Sequence, residues 1–407
     1  MPTEPESGPG TATAPPAPVT LDDYRTAART LVDPAAWGYI EGGSGAETTL
    51  RESEAAYRGY RLRPRVLVDV SHCDLRTTLL GSPVELPVAI APMAYHGLVS
   101  PEAEPGTVRA AAAAGALTVV STFSGTPLEE IAEAAAGAPL WMQLYVFRDR
   151  PTTEALVRRA EAAGYRALVV TVDTPRVPRR ARDLRNAFSL PPGMVPANFD
   201  DHHASGLQQG ASGASVIGAH AARHHDAAFS WDDLAWLRSL TTLPLVLKGV
   251  LTGEDAARAA ELGVEGIVVS NHGGRQLDGA VPALDALPEV VAAAAGRCEV
   301  YVDGGIRRGT DVLTALALGA RAVLVGRPVL WGLAVAGSAG ARDVLSILRA
   351  ELEDAMALSG RPDLASVDAG LLRSCDTPAT SPAAPLSPLS PLSAAPHRTP
   401  SKESTHR

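Results

Sequence analysis

The chain has 407 residues, 46% of them hydrophobic, which is enough apolar content for one barrel-sized core or for two smaller domains. Its 36 Lys and Arg are scattered and are outnumbered by 45 Asp and Glu, giving a net charge of −9; neutralising nucleic-acid phosphates needs clustered cations, so a small-molecule ligand is the better expectation. The three cysteines, Cys73, Cys298 and Cys375, have neither metal-ligand nor redox spacing, and a sparse, odd count suits a reducing compartment.

From Pro2 to Pro18 the chain is rich in Pro, Thr, Ala and Gly. It lacks the basic patch and apolar run of a secretory signal, so residues 1–18 read as a disordered tail and the protein as cytoplasmic. The folded body is expected over residues 19–373, opening with a helical extension. Val/Ile/Leu-rich runs follow at Pro87–Pro92, Leu117–Thr122, Leu140–Val146, Ala167–Asp173, Leu243–Gly249, Gly266–Ser270, Glu299–Asp303 and Ala322–Gly326. Between them lie amphipathic stretches, clearest at Thr107–Ala114, Pro151–Ala163, Gly253–Leu262, Ala283–Ala295 and Gly309–Leu318, with apolar positions three and four apart. Repeated βα units of this kind predict a closed (β/α)8 TIM barrel. A doubly wound sheet would want a Gly-rich fingerprint after its first strand, where this chain carries Ala91-Pro92-Met93-Ala94. The uncharged stretch Ala110–Leu128 is broken by Gly115, Gly125 and Pro127 and fails as a membrane span. The long interval Thr174–Thr242 reads as a lid loop. Residues 374–407, with a P-L-S repeat at Pro385–Ser393, read as a second disordered tail.

Barrel enzymes place their chemistry at the C-terminal ends of the strands. Those ends carry Ser121, Gln143, Tyr145, Thr171, Asp173, Lys248, Ser270 to Arg275, Asp303 to Arg307, and Gly326-Arg327. Loops after the seventh and eighth strands commonly hold phosphate on backbone N–H groups. Gly304, Gly305 and Gly326 allow that close approach, and Arg307 or Arg327 supplies charge-assisted bonds. A phosphosugar, a nucleotide or FMN would fit such a site equally. Asp303 is placed to accept from ribityl hydroxyls, Ser121, Gln143 and Thr171 to bond a flavin's pyrimidine edge, and Lys248 to stabilise negative charge on a reduced flavin. His272 is the best candidate base among ten histidines, since imidazole titrates near neutrality and this one stands at a strand end. The pairs His202-His203 and His224-His225 read as solvated loop residues. Asp173 can orient the imidazole, while Arg275 and the cluster Arg176, Arg179 and Arg180 can recognise a substrate carboxylate; for Arg176 and Arg179 a solvated basic loop is an equal reading.

The run Ser270-Asn271-His272-Gly273-Gly274-Arg275-Gln276-Leu277-Asp278 closely resembles the FMN-dependent 2-hydroxy-acid oxidases and dehydrogenases, such as glycolate oxidase, lactate oxidase and mandelate dehydrogenase. The likeness extends from about Tyr39 to Gly360 through Thr171-Val172-Asp173-Thr174-Pro175-Arg176, Leu247-Lys248-Gly249-Val250 and Asp303-Gly304-Gly305-Ile306-Arg307. It implies that His272 takes the proton that starts oxidation of the α-carbon, that Asp173 supports the charged imidazole, and that electrons pass to flavin N5. It also implies carboxylate binding by Tyr39, Arg180 and Arg275, a Tyr145 hydrogen bond to the substrate hydroxyl, and Lys248 beside flavin N1. FMN contacts are implied from Pro92, Met93, Ala94, Ser121, Gln143, Thr171, Lys248, Ser270, Asp303, Gly304, Gly305, Arg307, Gly326 and Arg327. A homotetramer and reoxidation by O2 to hydrogen peroxide belong to the same expectation. Phe123 stands where plant glycolate oxidases carry Trp, and Tyr95-His96 replaces their Met-Gln, so the substrate pocket is expected to differ. The general run of the sequence looks most like actinobacterial members described as 4-hydroxymandelate oxidases, which favours an aryl 2-hydroxy acid over lactate. The membrane-bound members carry an apolar insertion in the long loop; here that loop is polar, which favours a soluble oxidase.

Overall fold

In the computed structural model, residues 17–199, 221 and 223–375 are described. Most of both expected tails, and His202-His203, lie outside the described residues. Eight parallel strands close into a barrel: β1 Val88–Ile90, β2 Thr118–Val120, β3 Leu140–Leu144, β4 Leu168–Thr171, β5 Leu245–Val250, β6 Gly266–Val269, β7 Glu299–Asp303 and β8 Ala322–Val325. Each pairs in parallel with the next, and β8 closes onto β1. The predicted barrel is the observed one.

Strand parity divides the core into two. Ala89, Val119, Trp141, Val169, Val246, Val268, Tyr301 and Leu324 form one cluster. Their chain neighbours, among them Ile90, Val120, Met142, Val170, Leu247, Ile267, Val302 and Val325, join a larger cluster with the surrounding helices. Since side chains alternate across a strand, the first set fills the barrel and the second packs outward. Trp141 and Tyr301 meet edge-on across the interior with centroids 5.5 Å apart, so the barrel is plugged and not a pore. At the bottom, the hairpin Thr77–Leu79 and Ser82–Val84 adds Leu79 and Val84 to that interior cluster.

Two residues further along each strand, the same inward row becomes Ala91, Ser121, Gln143, Thr171, Lys248, Ser270, Asp303 and Gly326. Hydrophobic filling thus gives way to a mostly polar layer at the C-terminal mouth, and the barrel itself fixes the height of the site.

Helices follow the strands at Ala103–Ala114, Leu128–Ala134, Arg150–Ala162, Gly253–Glu261, Ala283–Ala294 and Gly309–Ala317. The helix Arg327–Ser359 breaks where Ala336 and Gly337 leave helical geometry, and it packs on both the N-terminal helix Leu21–Leu31 and Ala103–Ala114. Among the described residues, no helix is long and apolar enough to cross a membrane.

The structure corrects two details. Predicted strands such as Leu140–Val146 and Ala167–Asp173 overrun the observed ones, because mouth residues continue the extended chain after ladder pairing has stopped. The interval 174–242 is not all loop: it holds the helices Ala181–Arg185 and Leu234–Ser239, the latter anchored by buried Leu234 and Leu237.

Candidate active site

The polar layer opens into one cleft of about 1370 Å3, counting its open mouth. Tyr39, Pro92, Met93, Ala94, Ser121, Phe123, Gln143, Tyr145, Thr171, Arg180, Lys248, His272, Arg275, Asp303, Gly304, Gly305, Arg307, Gly326 and Arg327 all line it. Two residues expected at the site do not reach the cleft surface: Asp173 stands behind His272, and Ser270, fully buried, acts from beneath.

His272 sits just past β6 in the left-handed region, at φ 59°. That conformation is costly for a side chain with a Cβ and is usually found where function demands it. It turns the ring toward the end of β4, where Nδ1 lies 3.0 Å and 3.2 Å from the two Asp173 oxygens. Its backbone N–H is held by Ser270 Oγ at 3.0 Å. Burial pushes the imidazole pKa below its usual 6.5, outweighing the pull of Asp173, and the Lys248 and Arg180 cations lower it further. Desolvation of the half-buried Asp173 by itself favours the neutral acid, yet His272, Lys248 and the Thr174 hydroxyl together keep its pKa below the usual carboxylate value. The pair is therefore neutral imidazole on carboxylate, with Nδ1–H donating and Nε2 left as a base.

Lys248 rises from β5, where Thr171 of β4 is its register partner. Its Nζ lies 2.9 Å from Asp303 Oδ2 and donates to Ser270 Oγ at 2.9 Å. Burial alone would neutralise it, but Asp303 and Asp173 more than compensate and hold it charged. The Gln143 carboxamide is fixed on both sides, accepting from the Thr122 N–H at 3.0 Å and donating to Thr171 Oγ1 at 3.0 Å.

Two guanidinium groups face the other side of His272. Arg275 Nη1 donates to the carbonyls of Tyr39 and Gly42 at 2.6 and 2.8 Å, with the guanidinium 4.9 Å from the Tyr39 ring centre. Arg180 is buried, and its Nε reaches the Arg275 carbonyl at 3.4 Å. Desolvation, and then repulsion from Arg275, lower its pKa to about 10. Two guanidinium groups this close, Arg180 buried and Arg275 half-buried, with the buried Asp183 carboxylate also interacting with both, suit an anionic ligand. Arg176 and Arg179 are exposed, so of the basic cluster only Arg180 turns inward.

The cleft also has an aromatic wall: Phe123 lies 5.5 Å from Tyr145 and 6.4 Å from Tyr95. His225 stacks on Tyr145 at 4.5 Å and is buried. This overturns the solvated reading of His225. Its place depends on packing against Tyr145 and Phe147, which local sequence does not encode.

On the β7–β8 side, Gly304 and Gly305 have φ of 94° and 80°. A Cβ on Gly305 would collide with the Ser53 carbonyl, so only glycine fits between the helix Thr48–Ala55 and the cleft. Tyr57 donates to the Gly304 carbonyl at 3.2 Å, and Glu54 pairs with Arg307 at 2.7 Å. These N-terminal contacts were missed in the sequence because their partners are distant in the chain. Arg327 donates to the carbonyls of Ile40 and Gly273 at 3.0 and 2.9 Å. Burial, with Arg275 close by, lowers its pKa to about 9.

A plugged barrel whose mouth combines a glycine turn open to close approach, a buried lysine and a histidine–carboxylate pair has the features of a phosphate-anchored cofactor enzyme. The chain belongs to the FMN-dependent dehydrogenase family, whose sequence pattern matches residues 28–374. It is 52% identical over 359 residues to an L-lactate oxidase of Nostoc sp., covering 87% of this chain and 98% of the relative. It is 43% identical over 356 residues to human 2-hydroxyacid oxidase 1, covering 87% and 96%. A crystal structure of mandelate oxidase with (S)-4-hydroxymandelic acid superposes with a TM-score of 0.84 at 45% identity, covering 87% of this chain and 98% of that one. The protein is an FMN-dependent oxidoreductase.

The residues fit that cofactor. Asp303 Oδ1 and Arg307 Nε are buried with no hydrogen-bond partner among the described residues, an acceptor and a donor of the kinds a polyhydroxyl chain and a phosphate require.

Proposed function

We propose that the protein oxidises an (S)-2-hydroxy acid to the 2-oxo acid, the substrate's two electrons and two protons leaving with O2 as hydrogen peroxide. FMN, when bound, supplies the two-electron acceptor. Arg180 and Arg275, with Tyr39, hold the substrate carboxylate; Tyr145 bonds the C2 hydroxyl. His272 Nε2 takes up the released proton, and the imidazolium that forms is stabilised across Nδ1 by Asp173. Lys248, held charged by Asp303, would supply a cation able to stabilise negative charge on the bound flavin. Gly304, Gly305, Gly326, Arg307 and Arg327 cradle the phosphate, and Asp303 the ribityl hydroxyls.

The observation that carries this reading is a neutral histidine base in the same cleft as two mutually repelling guanidinium groups, Arg180 buried and Arg275 half-buried. For the C2 substituent, the wall of Tyr95, Phe123, Tyr145 and His225 favours an aryl group, mandelate being the simplest case. A second reading, L-lactate, is favoured by the 52% identity to an L-lactate oxidase. Peroxide formation over a panel of aryl and aliphatic (S)-2-hydroxy acids separates the two. A kcat/KM for lactate above that for mandelate overturns the aryl assignment, and no peroxide with any of them overturns the oxidase reading.

A further inference from the structure

Gln276 immediately follows Arg275 and has been given no role. Its side chain is buried, and its Nε2 donates to the Asp173 carbonyl at 2.7 Å and to the Arg176 carbonyl at 3.2 Å. The two bonds tie together the two loops that carry the chemistry. One loop, after β6, presents His272 and Arg275; the other, after β4, presents Asp173 and Arg180. The loops are also tied by Arg180 Nε on the Arg275 carbonyl at 3.4 Å and through the N-terminal segment, where Ser44 N donates to the Gly274 carbonyl at 2.9 Å and Gly45 N to that of Arg179 at 3.3 Å.

From this geometry we infer that Gln276 is a positioning residue, its carboxamide fixing Asp173 against His272. The inference rests on the reading of His272 as base. An amide suits the place because both contacts are carbonyl oxygens, so two N–H donors are required. A carboxylate of the same shape would offer no donor and would repel both carbonyls. Catalytic geometry tolerates little displacement, and a shift of about 1 Å away from the chemistry costs on the order of 100-fold in rate.

The test uses the FMN-loaded full chain, with flavin reduction by (S)-mandelate and by L-lactate followed anaerobically by stopped flow across pH. In Gln276→Met, flavin content is expected to be unchanged and the limiting reduction rate to fall on the order of 100-fold. The acid limb should also move to lower pH, because His272 loses part of the support that Asp173 gives its charged form. Gln276→Glu, of equal size, is measured in parallel and answers the question if the Met variant does not fold. It is expected to lose rate similarly, but its extra negative charge should move the limb to higher pH. A wild-type rate with an unshifted limb in whichever variant folds overturns the inference. A rate loss with no shift of the limb also overturns it, since that is what a purely structural role produces. Failure of the wild-type protein to be reduced by either acid would instead sink the underlying functional reading.

Discussion

His272 Nδ1 lies 3.0 Å from Asp173 Oδ1, although 99 residues separate the two in sequence. Two strand ends on one side of the barrel mouth bring them together, and the left-handed backbone at His272 aims the ring. Asp173→Asn retains the shape and removes the counter-charge for the imidazolium, so flavin reduction is expected to slow by roughly 10²- to 10⁴-fold with FMN retained. Because His272 titrates below 6.5 in the fold, chiefly through burial, the wild-type rate should be level at neutral pH and fall as pH drops through that lowered value. In the Asn variant the limb should lie lower still, since Asp173 is what raises it. Folding should weaken in the same direction, because the unfolded chain binds the proton first as pH falls. A limb that moves upward in the Asn variant contradicts the assignment.

Arg180 and Arg275 both line the cleft, and Arg180 Nε donates to the Arg275 carbonyl at 3.4 Å. Arg180→Met should raise KM for every 2-hydroxy acid by roughly tenfold or more, as expected when a charge-assisted bond of about 1.5–3 kcal/mol is lost, while FMN binding is kept. Steady-state kinetics over several substrates checks this, and an unchanged KM would remove Arg180 from carboxylate recognition.

Lys248 and Asp303 form a buried ion pair at 2.9 Å. Lys248→Met leaves Asp303 as an uncompensated buried carboxylate, and breaking such a pair from one side costs about 3–5 kcal/mol. The apoprotein's urea midpoint should drop, and flavin should be released more readily on dilution. Unaltered stability would mean that the pair is solvated in the apoprotein.

Phe123 sets the aromatic wall with Tyr95 and Tyr145. Enlarging it with Phe123→Trp should cost mandelate more kcat/KM than lactate, by about tenfold, the scale at which apolar pockets discriminate by size. Equal losses for the two acids would show that the substituent does not pack there.

Much of this was legible in the sequence because period-two strands end where the chemistry begins. Ser121, Gln143, Thr171, Lys248 and Asp303 each stand two residues beyond an inward apolar residue, so locating the strands located the polar layer that lines the cleft. Gly304 and Gly305 were legible as a tight turn, and their positive φ values bear that out. His225 was not, because a histidine beside His224 and Asp226 looks solvated until Tyr145 and Phe147 are packed around it. Glu54 and Tyr57 were invisible for a related reason: their contacts with Arg307 and Gly304 exist only once the N-terminal helices fold back over the barrel mouth. Ser270 lay in the recognised motif, yet its burial beneath the cleft follows from strand parity and not from the motif.

The most direct test of the central claim compares the wild-type holoprotein with His272→Ala under anaerobic conditions, following the flavin colour on addition of (S)-mandelate or L-lactate. The expected result is rapid bleaching in the wild type and, in the variant, retained flavin with bleaching slowed by at least about 100-fold. Fast bleaching in His272→Ala would contradict the assignment of His272 as the base, and a wild-type protein that binds FMN but is bleached by neither acid would contradict 2-hydroxy-acid oxidation itself.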